Sequence, residues 1–322
     1  MNPTEKPSPD DDAAMPRCPI TGQPARRLIQ KIPLKLLRLL WRFGLGIDIR
    51  RSLHGLRGIG LYESPCGLVY FSPAIAGDEA FYDAFYSRVG MHELLNAHGA
   101  ERAEFIAAAR HAASGARILD VGCGRGGFAE HVPNAEYHGL DPYAPTDADP
   151  RIIRARLEDH ASLYPGHYDL VTAFQVIEHL PDPLGFAGAM LKTLKPGGLL
   201  ILCAPLHPSA TTAIPNFLLN APPHHLSWWN REAFAALAET LGLELIELEE
   251  LPASPHEGLI HWMHRLNPCA GRNGTERYFA HRWAWHLATA WSFAAGRLAS
   301  RIRPLPARAG RIGVFLAARK PA

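Results

Sequence analysis

Short apolar runs alternate with amphipathic stretches through the middle of this chain of 322 residues, and this alternation predicts an α/β domain. Strands that alternate with helices pair in parallel, in a sheet that helices cover on both faces. Ligands of such sheets bind at the carboxyl ends of the strands. Strands are predicted at 61–73, 116–121, 136–140, 152–155, 168–174, 199–204, 243–248 and 313–318. Helices are predicted at 90–113, 127–132, 183–194, 230–241 and 275–303, with Asn230 as an N-cap.

The same pattern divides the chain into four parts. Residues 1–16 are polar and rich in proline, and we expect them to be disordered. Residues 17–90 form an N-terminal extension, and the α/β domain comprises 91–255 and 311–322. An aromatic-rich helical insertion occupies 256–310. Aromatic helices usually pack against a core, and a lid, a dimer face or a membrane contact is the alternative.

The N-terminal extension contains a strongly basic stretch. Residues 26–51 hold eight Lys or Arg residues and one acid, Asp48, interleaved with leucines and aromatic residues at helical spacing. A basic amphipathic helix can lie on an anionic membrane surface. It can equally pack on its own domain with extended basic side chains at its rim, and this second interpretation is favoured.

Composition and charge exclude several classes of protein. The formal net charge is +2, so nothing global favours nucleic acid as a partner. The five cysteines are scattered and odd in number, which indicates a reducing compartment rather than a disulfide framework. We find no signal-peptide pattern and no apolar run near the ~18 residues of a spanning helix. The expectation is a cytoplasmic protein, with peripheral membrane contact left open.

A glycine-rich loop follows the strand predicted at 116–121. Glycines there let a ligand approach the backbone, because glycine has no Cβ and tolerates positive φ. The spacing Gly122-x-Gly124-x-x-Gly127 matches a dinucleotide fingerprint, and Asp141 follows at the end of the next strand. A carboxylate there can accept hydrogen bonds from ribose hydroxyls. A nicotinamide oxidoreductase is therefore one interpretation of this pattern.

Asp120 favours a different cofactor. A charge inside a buried strand is costly unless it is paired, and an acid two residues before the glycines suits a ligand with a cation. Residues 119–126, LDVGCGRG, resemble the first motif of class I S-adenosylmethionine-dependent methyltransferases. The resemblance continues at 137–141 (YHGLD), 157–159 (LED), 168–182 (YDLVTAFQVIEHLPD) and 194–202 (LKPGGLLIL).

The resemblance implies a Rossmann-like, doubly wound sheet of seven strands, mainly parallel, with an antiparallel last strand. It also implies S-adenosyl-L-methionine as the cofactor, with Asp120 near its amino-acid part and Asp141 on its ribose. The residues that it assigns to cofactor binding are Asp120, Gly122, Cys123, Gly124, Gly126, Asp141, Pro142, Leu157, Glu158, Phe174 and Gln175.

Residues 222–229, PPHHLSWW, resemble the ubiquinone-biosynthesis-like branch of this family, the type 23 group. Transfer to a hydroxyl needs a base, and histidine titrates near working pH. His179, His224 and His225 are the candidate bases, and each can instead be structural. The predicted reaction is O-methylation of a small or lipid-linked acceptor, with C- and N-methylation open. A nicotinamide oxidoreductase and a non-catalytic cofactor-binding module are the alternatives.

Two metal sites are considered and neither is assigned. In the ubiquinone-type relatives an acid and a histidine here can hold a divalent cation, which makes Glu178 and His179 weak candidates. Residues 18–22 and 64–73 resemble a two-knuckle zinc ribbon that is degenerate, because Thr21 and either Glu63 or Ser64 replace thiolates. A structural zinc needs four ligands, and the two remaining cysteines are too few.

Overall fold

The computed structural model describes residues 15–89, 101–145, 148–271, 277–306 and 309–322. Its eleven described strands form two sheets. The strands are β1 Arg27–Ile32, β2 Ile59–Glu63, β3 Val69–Ser72, β4 Arg117–Val121, β5 Glu136–Leu140, β6 Ile152–Ile153, β7 Tyr168–Phe174, β8 Leu194–Pro205, β9 Ser227–Trp228, β10 Glu244–Pro252 and β11 Arg311–Arg319.

The larger sheet has seven strands in the order β10-β11-β8-β7-β4-β5-β6. The pairs among β4 to β8 are parallel, while β11 runs antiparallel to both β8 and β10. This confirms the predicted Rossmann-like sheet with an antiparallel last strand. The chain moves to opposite sides of β4 when it builds β5 and β7, and such a switch point opens a crevice at the strand ends.

Alternation along β4 shows how the core is divided. Leu119 and Val121 pack into the cluster on one face of the sheet, and Ile118 packs into the cluster on the other. Successive side chains of a strand point to opposite faces, so a strand that is apolar at nearly every position must be covered on both. Only Asp120 breaks the apolar run of this strand.

The smaller sheet, in the order β1-β2-β3-β9, is antiparallel and corrects the single strand predicted at 61–73. That stretch is a hairpin, β2 and β3, with Glu63 opposite Val69. Pro65 has no amide hydrogen for a ladder, and Gly67 adopts a φ of 83°, which suits glycine in a turn. The sequence pattern missed this turn because apolar residues flank it closely.

The α-helices span Leu34–Gly44, Glu79–Val89, Ala103–Ala109, Leu157–Leu163, Pro183–Thr193, Ala210–Ala213, Arg231–Thr240, Gly258–Leu266 and Trp283–Ile302. The prediction at 127–132 was wrong in type, since Gly127–His131 is a 3₁₀ helix. Of the helix predicted at 90–113, residues 90–100 lie outside the described residues. The side chain of Asn230 accepts from the amide of Ala233, which confirms the predicted N-cap.

The basic stretch 26–51 is a strand followed by a helix, not one helix. The helix Leu34–Gly44 buries Leu36, Leu37, Leu40 and Trp41, and the indole of Trp41 donates to the carbonyl of Pro222. The helix therefore packs on its own protein. No helix among the described residues is long and apolar enough to span a bilayer.

The predicted disordered tail also needs a correction at its end. Of residues 1–16, only Met15 and Pro16 are described, and the carbonyl of Pro16 accepts a hydrogen bond from the hydroxyl of Tyr70. Met15 and Pro16 are therefore part of the folded structure, and residues 1–14 of the predicted tail lie outside the described residues.

Candidate active site

The glycine loop after β4 has the shape of a ligand cradle. Gly122, Gly124 and Gly126 adopt φ values of 71°, 56° and 81°, where side chains are disfavoured. A Cβ on Gly122 would lie 2.5 Å from a methyl group of Val176, so this position needs glycine for space as well. A Cβ on Gly124 would meet nothing within 4 Å, which leaves open space above the loop.

Asp141, at the end of β5, ties this loop to the neighbouring strand. One carboxylate oxygen accepts from the amide of Gly124 at 2.9 Å, and the other accepts from the amide of Tyr143 at 2.8 Å. Each carboxylate oxygen can accept a further bond. Asp141 therefore fixes the loop and keeps acceptor capacity toward a ligand.

Asp120 lies inside the sheet, between β5 and β7. Its carboxylate is buried in the sheet and accepts from the hydroxyls of Tyr137 and Thr172, both at 2.9 Å. Burial raises the pKa of Asp120 to about 7, against the opposing effect of these two hydrogen bonds. Asp120 does not line the cavity described below, so its direct contact with a cofactor stays a prediction.

One continuous cavity of about 2800 Å³ opens above the carboxyl ends of the parallel strands. The cavity brings together thirteen of the fourteen predicted site residues. Those that line it are Gly122, Cys123, Gly124, Gly126, Asp141, Pro142, Leu157, Glu158, Phe174, Gln175, His179, His224 and His225.

The loop after β7 enters the cavity through a strained residue. Gln175 has a φ of 59°, which is uncommon outside glycine, and its backbone amide donates to the carbonyl of Cys203. Strain of this kind persists where the surrounding structure enforces it, and it concentrates at functional sites. The ring centroid of Phe174, the preceding residue, lies 5.0 Å from the ring centroids of both Phe105 and Phe128. This aromatic cluster closes the apolar side of the cavity.

Three histidines form a cluster on the cavity wall. His179 ends a short 3₁₀ helix after β7, whereas His224 and His225 follow the cis Pro222–Pro223 bond. The ring centroids of His179 lie 4.5 Å and 4.8 Å from those of His224 and His225. The three imidazoles each offer a ring nitrogen, and these nitrogens all lie within 4.8 Å of one another.

Hydrogen bonds to the backbone fix two of the tautomers. Nδ1 of His179 donates to the carbonyl of His224 at 2.7 Å, and Nδ1 of His224 donates to the carbonyl of Leu219 at 2.8 Å. A neutral imidazole with its proton on Nδ1 has a lone pair on Nε2. Burial lowers the pKa of His179 to about 4 and those of His224 and His225 well below the ordinary value. The cluster is therefore neutral near pH 7.

Glu178 lies directly against this cluster. Its side chain is 1% exposed, and one carboxylate oxygen is 3.8 Å from Nε2 of His179 and 4.0 Å from Nε2 of His225. Within the described residues, neither oxygen of Glu178 has a hydrogen-bond partner. Burial raises the pKa of Glu178 to about 8. This carboxyl is therefore largely protonated near pH 7, and a positive charge beside it would favour its ionised form.

Some residues of the cavity were not identified from the sequence. Arg102 lines the cavity just before the helix Ala103–Ala109, and it forms an ion pair with buried Glu104 at 2.6 Å. Glu257 lines the cavity too, and burial raises its pKa to about 8. Arg102 stands 20 residues before Gly122 in a stretch without a motif, so no local signal marks it.

The degenerate zinc ribbon comes together in space without a complete ligand set. The sulfur atoms of Cys18 and Cys66 are 3.8 Å apart, and the hydroxyl oxygen of Ser64 lies 3.2 Å from the sulfur of Cys66. Glu63, the alternative fourth position, points to Arg26 and Arg27 instead. Zinc binding by this segment stays unassigned.

Part of this chain is similar to known proteins. Residues 93–248 match the family model described as a methyltransferase domain. The chain is 33% identical over 140 residues to "Ubiquinone biosynthesis O-methyltransferase" of Xanthomonas campestris pv. campestris, a match that covers 38% of this chain and 56% of the relative. It is 32% identical over 137 residues to the protein of that name from Pectobacterium carotovorum, over 38% and 57% of the two chains.

A match to the Yersinia pestis protein of the same name is 37% identical over 95 residues, or 26% and 39% of the two chains. This chain thus spans about half the length of the curated relatives it matches. A solved "SAM dependent methyltransferase from Archaeoglobus fulgidus" has a TM-score of 0.41 and 17% identity, over 67% and 92% of the two chains. The motifs, the strand order and the family model over residues 93–248 together support a class I S-adenosylmethionine-dependent methyltransferase domain.

The buried carboxyl of Asp120 generates a prediction about pH. Its pKa is about 7 in the folded protein and about 3.9 in an unfolded chain, so between these values the native state alone keeps the proton. Its contribution to stability is therefore present at low pH and lost as the pH rises through 7. Asp120→Asn removes this titration, so its free energy of unfolding relative to wild type should rise by about 2 kcal/mol from pH 5 to pH 8.

Denaturant titration of the ligand-free proteins across this pH range measures the difference. Asp159→Asn is the matched control, because Asp159 is exposed and lies outside the cavity. A constant difference between Asp120→Asn and wild type at all pH values would contradict a buried, protonated carboxyl.

Proposed function

We propose that this protein transfers a methyl group from S-adenosyl-L-methionine to a hydroxyl oxygen of a small or lipid-linked acceptor. The observation that carries the proposal is the position of His179. Its Nε2 lone pair is fixed by the bond from Nδ1, and its ring lines the same cavity as Gly124 and Asp141. A neutral base and the loop typical of a methyl-donor site thus share one chamber.

The residues present fit the cofactor. The space above Gly124 accepts a ligand against the main chain, and Asp141 offers a carboxylate to ribose hydroxyls. Leu157 and Pro142 add apolar surface for an aromatic base, and Arg102 brings a guanidinium near the opposite end. When bound, S-adenosyl-L-methionine supplies a methyl group on a sulfonium, which is already an excellent leaving group.

The protein must then orient the acceptor and remove its proton. Nε2 of His179 accepts the hydroxyl proton, because burial keeps this imidazole neutral and its Nδ1 proton is held by the carbonyl of His224. The imidazolium that forms lies 3.8 Å from the carboxyl of Glu178, where its positive charge favours ionisation of this acid, and the imidazolium then releases its proton to solvent. The rings of Phe85 and Phe174 on the wall limit access of water.

The size of the cavity favours a bulky acceptor. Ligand pockets for small molecules are typically about 300–1,000 Å³, and this one is about 2800 Å³. Its outer part is apolar, with Leu39, Phe43, Met263 and Phe293 in the wall. A cofactor fills the part near the glycine loop, and the rest fits an acceptor with a long apolar tail. The methyltransferase names of the relatives in ubiquinone biosynthesis agree with this class of acceptor.

The acceptor class is tested by a methyl-release assay. Phenols that carry an isoprenoid tail should yield S-adenosylhomocysteine at a kcat/KM at least about tenfold above that of the same phenols without the tail, because the tail buries apolar surface in the outer cavity. Equal rates for both would contradict a lipid-linked acceptor. No release with any phenol, or with a cell extract, would favour a non-catalytic binding module.

The variant Asp141→Ala tests whether S-adenosyl-L-methionine, rather than a nicotinamide cofactor, is the ligand of this site. The variant loses the carboxylate hydrogen bonds to the amides of Gly124 and Tyr143 and the proposed ribose contact. Binding of S-adenosylhomocysteine should therefore weaken by about 10- to 100-fold. Asp159→Ala, an exposed acid outside the cavity, is the control and should bind as wild type does. Calorimetry measures both variants. Binding of NAD by wild type without binding of S-adenosylhomocysteine would revive the nicotinamide interpretation.

His179→Ala tests the base. We expect kcat to fall by about 10²- to 10⁴-fold, the usual contribution of a general base, while S-adenosylhomocysteine affinity stays within about twofold of wild type. His54→Ala, at an exposed position outside the cavity, should keep full activity. Single-turnover kinetics measure kcat.

A requirement for a metal ion would change the role that we propose for the histidine cluster. Three imidazoles beside an unpartnered carboxylate are also donors that a divalent cation uses. If dialysis against a chelator abolishes wild-type activity and a divalent cation restores it, His179 binds metal and is not the base.

A further inference from the structure

The helix Trp283–Ile302, which we name the insertion helix, has two separate apolar faces. One face packs inward through Trp285, Ala288, Ser292 and Gly296, all of them buried. Its closest approach is at Gly296, where a Cβ would lie 3.0 Å from the backbone nitrogen of Met263. This face is sufficient to hold the helix on its neighbour, Gly258–Leu266.

The second apolar face points away from Gly258–Leu266, and Trp283 at its start also lines the cavity. It consists of five large side chains that are between 60% and 74% exposed: Trp283, Leu287, Trp291, Leu298 and Ile302. Their spacing of four, four, seven and four residues puts them in one arc of about 100° on the helix surface. Single exposed apolar residues are ordinary, but a continuous stripe of this length indicates a surface that another body covers.

The charged side chains of the segment that carries this stripe have one sign. From Arg277 to Pro306 the sequence holds five arginines and no Asp, Glu or Lys. Arg297 and Arg301 are exposed on the insertion helix itself. The helix Leu34–Gly44 repeats the pattern, with exposed Lys35, Arg38, Arg42 and Phe43 and no acid.

Both helices border the mouth of the cavity. From the insertion helix, Thr289, Phe293 and Arg297 line it, and Leu39 and Phe43 line it from the helix Leu34–Gly44. The outward stripe of the insertion helix therefore lies next to the side that faces the cavity. A body that covers the stripe also covers the entrance.

We propose that the outward face of the insertion helix docks on the surface of an anionic lipid bilayer. Tryptophans favour the interface between headgroups and chains, where Trp283 and Trp291 would lie, and the leucines would enter the acyl boundary. The arginines attract anionic headgroups. That a lipid-linked acceptor then enters the cavity from the bilayer rests on the proposed function. The docking itself does not.

A second copy of this chain fits the face less well. In a two-fold dimer the same patch meets itself, so the arginines of one copy would face those of the other with no acid between them. A bilayer that contains anionic lipid neutralises both sets of charges, and its acyl region accepts the stripe. Charge complementarity therefore favours the bilayer.

Sedimentation with vesicles tests the proposal, without cofactor or acceptor. Wild type should bind vesicles of phosphatidylcholine mixed with phosphatidylglycerol, with affinity that falls as salt rises, and should bind phosphatidylcholine alone at least about tenfold more weakly. The double variant Leu287→Glu/Trp291→Glu should lose about tenfold or more of its affinity for the mixed vesicles. Leu163→Glu is the matched control, because Leu163 is 74% exposed on another helix, and it should bind as wild type does.

Calorimetry with S-adenosylhomocysteine checks that each variant keeps its fold, and it separates this proposal from the proposed function. If the double variant does not fold, Arg297→Gln/Arg301→Gln replaces it and should reduce the preference for anionic vesicles. Three results would overturn the proposal. These are no binding of wild type to mixed vesicles, an equal loss in Leu163→Glu, and a wild-type dimer that the double variant converts to monomer.

Discussion

The backbone of Leu226 links the two sheets of this protein. Its amide donates to the carbonyl of Glu178, in the loop after β7, and its carbonyl accepts from the amide of Phe71 in β3. Next to it, the side chain of His179 donates to the carbonyl of His224. The polar groups of a buried segment must be paired, and these bonds pair them across the boundary. The histidine cluster exists because this junction holds its two halves together.

The sheet topology explains why the junction becomes a chamber. The pairs Pro205–Gly313 and Pro252–Arg311 show that β8 and β10 end at the same edge of the sheet. The loop after β7, the histidine segment after β8 and the insertion after β10 therefore all leave at the edge where β4 delivers the glycine loop. Such an edge collects ligand groups from several strands. In this chain the connections are long enough to build walls around it.

Patterns over a few neighbouring residues predicted the strands of the larger sheet and the loops that follow them. Apolar runs marked the strands of the larger sheet, and the motifs identified Gly124 and Asp141, which the structure brings into contact at neighbouring strand ends. The turn at Gly67 was missed because its flanks are apolar. The hydrogen-bond partners of Asp120 are not visible in its motif, because Tyr137 and Thr172 supply their hydroxyls from other strands. The spacing of a motif does not state where its side chains point.

The insertion helix shows the same limit, because its sequence pattern does not state what its side chains contact. An aromatic-rich helix was expected to pack against a core, and Trp285 does so while Trp283 and Trp291 remain exposed. Helical periodicity distinguishes an apolar face from a polar one, but it does not determine what each apolar face covers. Here one face packs on the protein, and the charged side chains that the insertion helix places beside the other are Arg297 and Arg301. Because burial of apolar surface is favourable wherever it occurs, the second face favours contact with an apolar body at the cavity entrance.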